Sequence, residues 1–190
     1  MTSKIKVNIL ADGGDNSIIT SDGAGSFTAS SGLASSVQSV GGIQNTPAFE
    51  AYMSANLSFS NSTDTVITFN TENFDTDSAY DTSNYRFTPQ IAGKYFFYTI
   101  ANIDDGNATA MCWLGFGKNG TFGNTGIGGS NRRSWTTAGN SYIAASAHIT
   151  LNGSTDYVQA YVRHENASTV YVSSGSKTWS IFGGYKIIGA

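Results

Sequence analysis

Tyr95, Phe96, Phe97 and Tyr98 stand in an unbroken run inside IAGKYFFYTI, residues 91–100. A strand sends successive side chains to opposite faces, so this stretch carries large apolar groups on both. A half-buried strand of an antiparallel sheet needs only one apolar face. Here the second face also needs a cover, from the same chain or from another.

The pattern recurs. TWSIFGGYKII (178–188) sets Trp179, Ile181 and Tyr185 against Phe182 and Ile188, and YVQAYVR (157–163) sets Tyr157 and Tyr161 against Val158, Ala160 and Val162. AYMSANLSFS alternates Met53, Ala55, Leu57 and Phe59 with Ser54, Asn56 and Ser58, and reads as one half-buried strand. Further alternating stretches fall at 65–70, 85–87, 110–116, 141–151 and 169–173, separated by clusters of Gly, Asn, Asp and Ser such as NIDDGNAT and LNGSTD. No window carries a helical stripe. About eight to ten short strands with polar turns between them predict an all-β sandwich or jelly roll.

Residues 1–46 read differently. KIKVNIL alternates as a short strand would, ADGGDN is a turn, and no residue from Gly23 to Phe49 carries a charge. Such a segment buries too little to fold alone. It is a linker or an arm that orders against a partner, and the aliphatics of KIKVNIL and SIIT favour the arm. Lys4, Ile5, Val7, Ile9 and Leu10 are its candidate attachment residues. The expected organisation is an arm and Ser/Gly-rich linker over 1–46 and a globular head over 47–190.

Charged residues make up 12% of the chain and the net charge is −3, with no basic run beyond Arg132-Arg133. Phosphate recognition needs clustered Lys and Arg, so nucleic acid is not an expected partner. MTSKIKVNIL lacks the apolar region of a signal peptide, and no stretch approaches the ~20 apolar residues of a membrane span. The expectation is a protein made in a cytoplasm, without membrane insertion. The single cysteine, Cys112, lies in the apolar run AMCWLGF and reads as an inert core thiol.

Within 69–97 the spacing is specific. Phe69, Asp75, Tyr80, Phe87, Gly93, Tyr95 and Phe97 are separated by five, four, six, five, one and one residues. This series resembles the signature of the complement component 1q globular head, one of the tumour-necrosis-factor-like jelly rolls. The family's further aromatic is here Thr99. GSTDYVQAYV (153–162) and SIFGGYKI (180–187) resemble later family strands, so the resemblance covers about 47–190. It implies a ten-stranded jelly roll that forms a homotrimer, with inner-sheet aromatics around the threefold axis. Tyr95, Phe97, Tyr161, Phe182 and Tyr185 are the candidates for that interface. The alternative packing places all these rings in one thick monomer core.

The collagen stalk of animal relatives is missing. The opening segment instead resembles the attachment segments of bacteriophage fibre and virion-surface proteins. The expected location is therefore a virion surface.

GxSxG, P-loop, HExxH and EF-hand motifs are all missing, so no enzyme is expected. His148 lies on the polar face of SAHITL, and His164 lies at a strand end with no partner evident nearby. No metal or other cofactor is expected, and calcium is not indicated. GIGGSNRRSWTTAGNSY (126–142) reads as a loop in which Arg132, Arg133 and Trp135 are candidate ligand- or receptor-binding residues. Equally, Trp135 could plug the barrel end and the arginines pair with acids.

The leading expectation is a non-enzymatic structural protein of a phage virion: a trimeric fibre or knob, bound to other virion proteins through its arm and presenting its head to a host-surface glycan or protein. The alternatives are a capsid decoration protein without a receptor role and a free soluble carbohydrate- or protein-binding module.

Overall fold

The computed structural model describes residues 9–11, 13–14, 16–21, 23–24, 27–29, 45–104, 110–122, 131–135, 139–165 and 169–189, with no helix among them. The chain divides into two units, Met1–Gln44 and Asn45–Ala190. In the first, β1 (Ile9–Ala11), β2 (Ser17–Ser21) and β3 (Phe27–Ala29) form a three-stranded antiparallel sheet in chain order. Strands this short bury little: Ile9 and Leu10 remain 54% and 52% exposed. Lys4, Ile5 and Val7 lie outside the described residues.

The second unit holds β4 (Ala48–Tyr52), β5 (Leu57–Phe59), β6 (Thr65–Val66), β7 (Thr71–Asp75), β8 (Tyr80–Asp81), β9 (Arg86–Phe87), β10 (Gly93–Asp104), β11 (Ala110–Lys118), β12 (Asn131–Trp135), β13 (Asn140–Leu151), β14 (Val158–Glu165), β15 (Val170–Ser173) and β16 (Ile181–Lys186). They form two antiparallel sheets. The first runs β5-β15-β10-β16-β4-β7, with β13 along the other side of β10. The second runs β12-β11-β14-β9-β8, with β6 on β14.

The alternating stretch 51–60 is not one strand. It breaks at Met53–Asn56, so β4 pairs β16 while β5 pairs β15, and Ala55 is exposed. The side chain of Asn70 stitches the break, with Ser54 N–H donating to Oδ1 (3.0 Å) and Nδ2 donating to Ser54 Oγ (2.8 Å). Period-two alternation survives such a bend because it counts residues and not pairing partners.

The aromatic signature builds the core. Phe49 of β4 stacks on Tyr80 (ring centroids 4.8 Å) and Phe87 (4.5 Å), and meets Phe182 edge-on (4.8 Å). Phe87 in turn touches Tyr95 (5.7 Å) and Phe97 (5.8 Å). The polar atoms of the signature close its turn: the Tyr80 hydroxyl donates to the Phe69 carbonyl (2.7 Å), and Tyr80 N–H donates to Asp75 Oδ2 (2.8 Å). Thr99, where the family signature has an aromatic, faces inward opposite Phe182 and donates its hydroxyl to the Ile181 carbonyl (2.9 Å).

This corrects the interface expectation for three residues. Tyr95, Phe97 and Phe182 are all 0% exposed within a single chain, so none can reach a second copy. The inner face of β10 carries Tyr95, Phe97, Thr99, Ala101 and Ile103, and the second sheet covers it with Leu114, Phe116, Val158, Ala160 and Val162. Each large ring removes about 150–250 Å² from water. The face of β10 left for anything else is the even-numbered one.

Candidate assembly face

Ladder register arranges the outward residues of the first sheet in rows across β13, β10, β16 and β4. One row is His148, Phe96, Tyr185 and Ala48. The next is Ser146, Tyr98, Gly183 and Glu50, with Phe74 of β7 beyond. The third is Ala144, Ile100, Ile181 and Tyr52. Phe96 is at the centre of an aromatic group, its ring 5.4 Å from His148, 5.5 Å from Tyr185 and 6.4 Å from Tyr98. Phe96, Tyr98, Ile100, Ile181, Tyr185 and Tyr52 are half-buried, short of the full burial of their odd-numbered neighbours in the core.

One carboxylate interrupts this apolar surface. Glu50 Oε2 accepts from the Tyr98 hydroxyl (2.6 Å) and Oε1 accepts from Asn73 Nδ2 (2.9 Å). The Tyr98 hydroxyl is held well above the ordinary tyrosine range, first by burial and then by its hydrogen bond to Glu50. At the far side of the third row, the Lys177 ammonium stands 5.3 Å over the Tyr52 ring.

Of the five expected interface residues, only Tyr185 lies on this face. Tyr161 is on the outer face of the second sheet, where Phe122 stacks on it (5.2 Å, 8°) and leaves it 6% exposed. Phe96 and Tyr98, which are not among the expected interface residues, do lie on this face. Parity separates 95 and 97 from 96 and 98, but does not say which pair faces the core.

The stretch read as a binding loop is partly a strand. Asn131–Trp135 is β12, paired with β11 so that Arg132 stands opposite Trp113, Arg133 opposite Cys112 and Trp135 opposite Ala110. The Arg132 side chain is exposed. Residues 123–130 and 136–138 lie outside the described residues.

His148 is exposed, as its polar neighbours implied, yet it packs against Phe96. His164 lies near the end of β14 but has partners the sequence does not reveal: it is 1% exposed, its Nε2 lies 2.9 Å from the Phe59 carbonyl oxygen, and Phe59 packs edge-on to its ring (4.9 Å). Cys112 is buried. Among the described residues no group of three or more His, Cys, Asp or Glu could hold a metal ion, and no helix is long and apolar enough to cross a membrane.

The exposed large apolar residues of the second unit divide by position. Phe74 continues the middle row, whereas Ile91 and Ile188 lie toward the end where the chain enters at Asn45 and where Lys186 N–H donates to the Pro47 carbonyl (3.1 Å). Tyr142, Tyr171 and Trp179 lie toward the opposite end, beside Asn102, Asp104 and the turn before β16. The entry end exposes hydrocarbon, and the far end exposes aromatics with polar tips.

No family model matches this sequence, and no curated protein matches it. Solved structures do match its fold. The globular domain of zebrafish complement 1qA protein aligns with a TM-score of 0.50 at 15% identity, over 74% of this chain and 97% of that one. Murine APRIL aligns with a TM-score of 0.54 at 12% identity, over 74% of this chain and 98% of that one. The fold is the complement component 1q/tumour-necrosis-factor-like jelly roll.

Proposed function

We propose that the chain is a non-enzymatic structural protein of a phage virion. Its head assembles as a homotrimer through the outer face of the first sheet. Its arm attaches to other virion proteins, and the far end of the head meets a host-surface glycan or protein. The observation that carries the trimer is the row structure around Phe96: three successive rows of mostly apolar groups with a single carboxylate among them. A contiguous apolar surface that its own chain covers only in part is suited to an interaction site, and the resemblance of the head to trimeric jelly rolls supports a closed ring of identical copies. The arm's likeness to phage attachment segments supports the virion. The division of exposed residues, hydrocarbon at the entry end and Tyr and Trp at the other, supports anchoring at one end and recognition at the other.

Light scattering on the full chain tests the assembly, with an expected mass three times the 20.0 kDa of one chain. Phe96→Asp should yield folded monomers, because Phe96 lies outside the core. A monomeric wild-type chain would overturn the trimer. Mass spectrometry of purified particles from the lysate that produces this chain tests the virion role, and its recovery only in the soluble fraction would overturn that role.

A further inference from the structure

The three central rows of the assembly face hold one carboxylate, Glu50, and one imidazole, His148. They stand on different strands: β13 is a margin of the sheet, whereas β4 lies beyond β10 and β16. Three strand spacings of about 4.8 Å separate them, so the two cannot pair within one chain. Along the strands they are one row apart, about 7 Å.

A cyclic assembly brings different patches of neighbouring copies together, so the margin of one subunit meets the middle of the next. Rotation about an axis running along the strands leaves height unchanged. Opposite sides of the face therefore meet at nearly the same height, and two side chains one row apart are still within each other's reach. The β13 margin is poorly suited to join copies by backbone pairing. Lys118 Nζ already donates to the Thr150 carbonyl (2.9 Å) and Asn131 Nδ2 to the Ala144 carbonyl (2.8 Å). Contact through β13 then falls to its outward side chains, Ser146, His148 and Thr150.

Glu50 presents the complementary need. Tyr98 and Asn73 each donate to one of its two oxygens, which orients the carboxylate and leaves acceptor sites on both. Covering this face without a further donor would strand a negative charge, a costly outcome in an apolar contact. Two lysines border the face: Lys94, opposite Thr150 on β10 and two rows from Glu50, and Lys177, whose ammonium is already engaged over the Tyr52 ring (5.3 Å).

We infer that His148 of one copy pairs with Glu50 of the next, three times around the ring, and sets the register of the trimer. This rests on the trimer reading above. The test is a His148→Cys/Glu50→Cys double variant, checked by light scattering for its oligomeric state, then oxidised and run on non-reducing gels. Cys112 is buried and stays in place. The expected result is a covalent three-chain species that neither single variant forms. Should the double cysteine variant not assemble, a cycle of His148→Ala, Glu50→Gln and both together decides. Coupling shifts the dissociation constant from additivity by about tenfold or more. A wild-type monomer overturns both readings. A trimer that neither cross-links nor shows coupling overturns the pair alone.

Discussion

The ring of Tyr98 lies directly against the backbone of Gly183: a β-carbon at 183 would overlap the Tyr98 ring and hydroxyl oxygen. The next residue repeats this on the opposite face, where a β-carbon on Gly184 would meet Phe97 at 2.6 Å. Two adjacent glycines on β16 therefore face two adjacent aromatics on β10, one ring outward and one inward. The outward ring reaches across its glycine to Glu50, so the same vacancy positions the carboxylate of the assembly face.

Gly183→Ala should push Tyr98 off its hydrogen bond with Glu50 and destabilise the head by about 1–3 kcal/mol. Gly184→Ala should cost at least as much, since Phe97 is fully enclosed and has nowhere to move. Thermal denaturation checks both, and a melting temperature unchanged by Gly184→Ala would contradict the close approach.

The neighbours Phe96 and Phe97 should respond oppositely to charge. Phe97→Asp places an unpaired carboxylate in the core and should abolish folding, read as loss of near-ultraviolet circular dichroism. Phe96→Asp should retain that signal. Equal loss in both variants would show that the two faces of β10 are not distinguished as described.

Phe49→Ala removes the ring on which Tyr80 and Phe87 stack, and should cost about 3–5 kcal/mol in denaturant titrations. A cost under about 1 kcal/mol would mean that the core collapses around the gap.

Alkaline stability follows from the tyrosines. Burial, helped by Asp77, pushes the Tyr95 hydroxyl up to about 12, and burial also raises Tyr80 and Tyr98. An unfolded tyrosine releases its proton near about 10, so above that pH the unfolded chain holds fewer protons than the folded one. Stability should be steady below about pH 10 and fall as pH rises through the folded values. Tyr95→Phe should make that fall shallower, while losing the hydrogen bond from Tyr95 to the Ile91 carbonyl (2.6 Å).

The acid side has the opposite sign. Hydrogen bonds from Asn119 and Lys118 hold the Asp156 carboxyl below its ordinary range, at a turn where Lys118 Nζ lies 2.7 Å away. Its contribution is present above the unfolded value, about 3.9, and is lost as pH falls. Asp156→Asn should lower stability at neutral pH and flatten the acid limb between about pH 4 and 2.

Much of this head is legible in its sequence. The series from Phe69 to Phe97 names the rings that meet around Phe49, because their spacing is that of strands and turns folding onto one core. The glycine pair of SIFGGYKI is legible too, although its purpose is not, since the rings it admits lie more than 80 residues earlier. The break at Met53–Asn56 and the strand at Asn131–Trp135 left no clear trace in the alternation.

By itself the sequence determined an all-β jelly roll, the residues able to fill its core, and the presence of β10 and β16 strands with two apolar faces. Only the tertiary structure decided which face was which. Alternation divides a strand into two sets without labelling either one. The label comes from the second sheet, whose Phe116, Ala160 and Val162 close over Tyr95 and Phe97 through pairings remote in the chain. Phe96 and Tyr98 are left outward, beside a carboxylate that nothing local in the sequence ties to them.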